Sequence, residues 1–213
     1  MRVLAVDTAL GACSCAVMDD ARVLSHRFVV MERGHVEALA PMVEETMRES
    51  GVAFSELDRL AVTVGPGTFT GQRVGIAFMR GMRIALKRPL VGVTTLETMA
   101  HQAMAETGLT RAASLHDARR EEVYLELVPG DGPALMPFDD AIKLLAAEGK
   151  LALAGTAAPR AAEMLKDAVL SGVRQPDALW VARLAMEREA SAEAPKPLYL
   201  RPPDAKLPAQ RLA

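Results

Sequence analysis

Three glycines, Gly65, Gly67 and Gly71, fall between an apolar run and a helix-like segment in "VGPGTFTGQRVGIAFMRGM". Their type and position are those of a loop able to hold a phosphate. A helix opening near Gly71 presents free backbone N–H groups, and Thr68 and Thr70 add hydroxyls, so an anion is chemically admissible there. The spacing G-x-G-x-x-x-G nevertheless meets neither familiar motif. A Walker loop needs lysine and a hydroxyl residue where Gln72 and Arg73 stand, and the third glycine is one residue late for a dinucleotide fingerprint. The rival reading is architectural: Gly-Pro-Gly makes a tight strand-to-helix turn and the threonines cap the helix.

The helix after the loop carries a different chemistry. Ala77, Gly81 and Ala85 fall four apart and make a stripe without bulk, which another backbone can approach closely. Glycine inside a soluble helix costs roughly 1 kcal/mol relative to alanine, so Gly75 and Gly81 imply close packing. Arg73, Arg80 and Lys87, seven apart, form a basic edge beside the stripe. An earlier helical segment has apolar Val36, Leu39, Val43 and Met47 with Glu37, Glu44 and Glu45 on its polar side. Such a pair suits a helix-to-helix protein interface, or equally packing inside the chain. No nucleophile context surrounds Ser14 or Ser25, and the four histidines show no metal-ligand spacing.

The elements that must position these residues follow from the pattern. "RVLAVD" and "LAVTV" read as buried strands, "CSCAVMD" and "RVLSHRFVV" as a meander, and "PLVGV" as a further strand. The helical segment "GHVEALAPMVEETMRESG", with Gly51 as its stop, holds Pro41, which predicts a kink or a late start. Thr94 and Glu97 fit a capping box. In the second half, two strands flank a charged turn around 117–122, followed by a helix in "DDAIKLLAAEG", a strand in "LALAG", and helices in "PRAAEMLKDAV" and "PDALWVARLAMERE". The prediction is a lobe over 1–108, a smaller α/β lobe over 109–194 and an extended proline-rich tail over 195–213. No internal repeat is visible.

Composition bounds the function. Hydrophobic residues at 50% and charged residues at 24% fit a globular chain with a sizeable core. A net charge of −2 and no run of Lys or Arg argue against an intrinsic nucleic-acid face. Cys13 and Cys15 offer no disulfide framework, the apolar start is too short for a signal peptide, and no run reaches membrane-span length. A cytoplasmic location with no membrane association is expected.

"GPGTFTGQRVGIAFMRGMRIAL", with "LAVDTALGACSCAVMD" before it, closely resembles the TsaB (YeaZ) family, tRNA threonylcarbamoyladenosine biosynthesis protein B. "RGHVEALAPMVEE", "DARREEVY" and "PLYLRPPD" extend the resemblance over nearly the whole chain. It implies an actin/hexokinase/Hsp70-like fold with two RNase H-like lobes, the second reduced. In that superfamily an acid ends the first strand beside a nucleotide-bound metal. Asp7 and Thr8, with Gly65, Gly67, Thr68 and Gly71, are thus similar to a vestigial nucleotide or phosphate site, weakened because Ala9 replaces a serine. The catalytic relative TsaD carries His-x-x-x-His, whereas here His35 is followed by Leu39. The resemblance therefore implies a non-catalytic paralogue without a metal or catalytic residues. It would pair with TsaD, join TsaE, meet tRNA through the complex, and pair with itself when TsaD is absent. The expected partner surface is His35, Val36, Leu39, Val43, Met47, Arg73, Ala77, Arg80, Gly81 and Ala85. No cofactor is expected, with a weak or composite ATP/ADP site left open. The alternatives are a nucleotide-binding kinase of the same superfamily and a peptidase.

Overall fold

The first apolar run is buried on both faces, and the alternation within it shows why. In a computed structural model describing residues 1–201, β1 (Arg2–Asp7) directs Leu4 and Val6 to one side and Val3 and Ala5 to the other. β2 (Ala12–Asp19) and β3 (Arg22–Val30) pair antiparallel beside it. β4 (Arg59–Gly65) and β5 (Leu90–Thr94) add in parallel on the other edge, giving the order β3-β2-β1-β4-β5. Parallel neighbours require crossovers, and these are α1 (His35–Ser50) and α2 (Phe69–Leu86). Both cover the Leu4/Val6 face through Leu39, Val43, Met47, Ile76 and Met79. Cys13 and Cys15 lie in the same cluster as free thiols, and burial pushes both up to about 12.

α3 (Thr95–Thr107) leads to a second sheet. Its strands are β6 (Ala112–Asp117), β7 (Glu122–Val128), β8 (Ala134–Pro137), β9 (Ala152–Ala154) and β10 (Val169–Leu170). The order β8-β7-β6-β9-β10, with β6, β7 and β8 antiparallel and β9 and β10 parallel, repeats the topology of the first sheet. The chain is thus two RNase H-like lobes of α/β type, the second reduced. α4 (Phe138–Ala146) and α5 (Ala158–Met164) cover one face of the second sheet. α3 joins the lobes: Leu96, Met99, Ala100 and Ala103 form a buried cluster with Ala9 and Leu10 of the first lobe and Ala112, Ala152 and Ala154 of the second.

Three expectations are corrected, and one strand was not foreseen. α6 (Ala178–Met186), placed by the sequence reading in the second lobe, returns to the first sheet and packs Ala178, Val181, Ala182 and Ala185 on Val3, Ala5, Ala16 and Ala61. Small residues on both sides allow that approach. α5 stops at Met164, and Val169, read as its end, instead starts β10, held by its N–H to Leu151 O at 2.9 Å. β8 was not foreseen. α1 starts at His35 and runs through Pro41 rather than beginning after it; Pro41 lies on the exposed side. Of the expected tail, residues 202–213 lie outside the described residues, and 195–201 run without helix or strand.

Candidate functional site

All six residues of the expected phosphate site meet at one junction. β1 ends at Asp7 beside β4, and the glycine loop turns from β4 into α2 immediately above the β1–β2 connection. Thr68 caps α2, its Oγ1 accepting the Gly71 N–H at 3.1 Å, and its own N–H donates to Ala9 O at 2.9 Å. Thr8 Oγ1 donates to Gly71 O at 2.7 Å and accepts from Gly75 N–H at 3.0 Å. Thr95 Oγ1 donates to Pro66 O at 2.5 Å, tying the loop to α3 as well.

The glycines are required by contact. A Cβ on Gly67 would lie 2.4 Å from Ala9 O, and one on Gly71 2.3 Å from Thr8 O. Gly65 has φ 110°, and a Cβ there would meet the Gln72 side chain at 2.7 Å. The backbone of Thr8 and Ala9 therefore occupies the space over the loop. Asp7 is fully buried. Its Oδ1 accepts from Thr63 Oγ1 at 2.5 Å and from Ala9 N–H at 3.1 Å, while Oδ2 has no partner among the described residues. Burial outweighs those hydrogen bonds and raises its pKa to about 7. The close packing expected at Gly75 is against Thr8, whose Oγ1 would lie 2.7 Å from a Cβ there. Thr63 and Gln72 were missed from the sequence, because nothing in spacing shows which β4 and α2 residues face the end of β1.

The expected partner surface divides. Ala77, Gly81 and Ala85 are exposed, nothing among the described residues outside the helix's own backbone lies within 4 Å of a Cβ built on Gly81, and Ile84 beside them is 77% exposed. The stripe faces away from this chain's own core. Val36 is also exposed. Leu39, Val43 and Met47 are corrected: they are buried in the first core, because the 3.6-residue repeat that suggested an interface is the one that seats α1 on its own sheet. Arg73 and Arg80 are not an open basic edge. Arg73 Nε donates to Tyr199 Oη at 2.8 Å, and Arg80 Nη2 donates to Pro195 O at 2.6 Å. His35 is half-buried, with a buried Nε2 that has no hydrogen-bond partner among the described residues.

A third cluster lies where the lobes join. Glu126 of β7 is buried and accepts from Thr94 Oγ1 at 2.6 Å. Arg188 donates to Gly92 O at 3.1 Å and pairs with Glu97. Burial, with the Glu97 carboxylate nearby, raises Glu126 to about 7 against the pull of Thr94. The folded chain then keeps a proton on Glu126 that the unfolded chain loses. This contribution to stability is greatest below the unfolded pKa near 4.5 and declines as pH rises to about 7. Glu126→Gln keeps an acceptor for Thr94 and removes the titration. Its stability relative to the parent is expected to rise between pH 5 and 8, by about 3 kcal/mol at most at roughly 1.4 kcal/mol per pKa unit. Urea midpoints of both proteins across that range check it, and a constant difference would refute the assignment.

A family profile described as TsaD: tRNA N6-adenosine threonylcarbamoyltransferase matches residues 29–174. The chain is 42% identical over 124 residues to the tRNA threonylcarbamoyladenosine biosynthesis protein TsaB of Escherichia coli (strain K12), covering 58% of this chain and 53% of that one. It thus spans about half the length of that curated relative. YeaZ from Pseudomonas aeruginosa superposes with a TM-score of 0.76 at 31% identity, over 93% of this chain and 99% of that one. A crystal structure of an uncharacterized protein with similarity to peptidase YeaZ, from the same organism, gives 0.81 at 33% identity, over 94% and 99%. No described helix is long and apolar enough to cross a membrane. Taken with the two-lobed fold and the glycine junction, these likenesses show that the chain belongs to the TsaB (YeaZ) family.

Proposed function

We propose that this chain is a non-catalytic scaffold subunit of the machinery that makes threonylcarbamoyladenosine in tRNA. Its direct partner is a TsaD-type subunit, TsaE joins that pair, tRNA is met through the assembly, and the assembly works in the cytoplasm. The observation that carries this reading is the exposed stripe of Ala77, Gly81 and Ala85, open above Gly81. A second helix can approach such a strip at close range. A homologous subunit presents the matching helices, and a second copy of this chain takes that place when the partner is absent. The glycine loop then serves architecture: it fixes α2 against β1 and aims the stripe outward.

The non-catalytic part rests on Leu39. It is 1% exposed, in the first core, where a two-histidine metal site of the TsaD kind needs its second imidazole. The isolated protein is expected to carry no stoichiometric zinc or iron and to transfer no threonylcarbamoyl group. One tightly held metal per chain by elemental analysis would overturn this. ATP is expected to bind weakly or undetectably to the isolated chain, because backbone covers the glycine loop. A micromolar or tighter dissociation constant by calorimetry favours the kinase reading. Co-purification from native cells tests the assembly, with a TsaD-type protein expected in the eluate.

A further inference from the structure

Residues 192–201 cross from the first lobe to the second on a series of arginine contacts. Arg83 donates to Ala192 O at 2.7 Å and Arg80 to Pro195 O. Leu198 N–H donates to Val64 O at 2.8 Å. Tyr199 takes the Arg73 hydrogen bond and stacks on Phe69, with ring centroids 5.8 Å apart and planes at 25°. The Arg73 guanidinium also lies 3.5 Å from the Phe69 ring centroid. Two residues further on, Arg201 reaches the second lobe. Its Nη1 donates to Ala118 O at 2.6 Å and its Nη2 pairs with the Glu122 carboxylate.

Ala118 and Glu122 bracket an unusual turn. Arg119, Arg120 and Glu121 have φ of 63°, 57° and 55°, three successive non-glycine residues in the left-handed region. Side chains disfavour that region, so such a run persists only where its surroundings hold it. Ala118 N–H to Glu122 O at 3.0 Å and Glu122 N–H to Arg119 O at 3.1 Å close the turn, and Arg119 N–H donates to Asp117 Oδ1 at 2.7 Å. Arg201 grips both ends of it. The turn lines a cleft of about 320 Å³ with Phe138 and Arg160, and Glu121 holds Arg160 at 2.8 Å.

We propose that residues 192–201 form a strap coupling the α2 face to the β6–β7 turn, with Tyr199 the anchor on α2 and Arg201 the hold on the turn. Only one residue, Leu200, separates them, so the two holds lie within about 7 Å of each other along the main chain. Loosening Tyr199 therefore loosens Arg201. A protein that docks beside Phe69 and Arg73 and moves Tyr199 changes the order of the turn that lines the cleft. The coupling is a property of the isolated chain and holds whichever partner binds α2.

The test is amide exchange at Ala118 and Glu122, followed by NMR on the full isolated chain. Arg201→Ala removes the hold directly, and Tyr199→Ala removes only the anchor. Both are expected to speed exchange at these two amides about tenfold or more, the scale of a lost charge-assisted contact, with β1 and β4 amides unchanged. Faster exchange in Arg201→Ala but not in Tyr199→Ala overturns the coupling. No change in either overturns the strap. Should Tyr199→Ala speed exchange throughout the chain, Phe69→Leu, which removes the stack and keeps apolar bulk, decides by the same criterion.

Discussion

Gly81→Leu is expected to leave the melting temperature of the isolated chain unchanged or slightly raised while weakening association with a TsaD-type partner roughly tenfold to a hundredfold. Among the described residues, nothing beyond the helix's own backbone lies within 4 Å of the new Cβ, so the side chain projects away from the core. Replacing a mid-helix glycine improves helix propensity by up to about 1 kcal/mol. Across a close helix-to-helix contact the same side chain overpacks, at a cost of about 1–3 kcal/mol. In a self-paired two-fold interface that penalty counts twice. Melting temperature and association measured on one preparation separate the outcomes. Unchanged association with an intact fold removes α2 from the interface.

Gly71→Ala is expected to do the reverse: a single methyl that damages the fold. Its Cβ would lie 2.3 Å from Thr8 O and 2.6 Å from Thr68 Oγ1. The first is main chain and cannot swing aside, so the β1–β2 connection or the start of α2 must shift. That shift strains the Thr8 bonds to Gly71 O and Gly75 N–H. A cost of about 1–3 kcal/mol corresponds to a melting temperature lower by roughly 2–12 °C for a chain of this size. Gly81→Ala is the internal control, the same chemical change in the same helix with open space around it, and it should be neutral or stabilising. Equal melting temperatures for the two variants would refute the packing role of the loop. Lost nucleotide binding in Gly71→Ala with stability intact would restore the phosphate reading.

These two glycines mark the line between sequence and tertiary structure. Both stand in one helix, and from spacing alone each admitted two explanations. Only the surroundings separate them: Gly71 is pressed against the main chain of another strand end, and Gly81 faces open space. Local pattern did settle the elements whose signal is local. The apolar run of β1, the Thr68 and Thr94 caps and the 3.6-residue repeat of α1 each depend on residues a few positions apart, so their physics is written in the chain. The alternation of the two lobes followed from such segments in order. Fragments with no local signature were not legible. β8 and β10, four and two residues long, are strands only because a distant neighbour supplies hydrogen bonds, so the repeat of the first sheet in the second could not be seen, although "LALAG" read correctly as the strand β9. α6 reads as an amphipathic helix wherever it packs, and its return to the first sheet is set by the match of its alanines to Ala5, Ala16 and Ala61. Arg73 and Arg80 of α2 looked like part of an open charged edge because charge has no partner in a one-dimensional string. Their partners, Tyr199 and Pro195, lie more than 100 residues away, and only folding brings the two together.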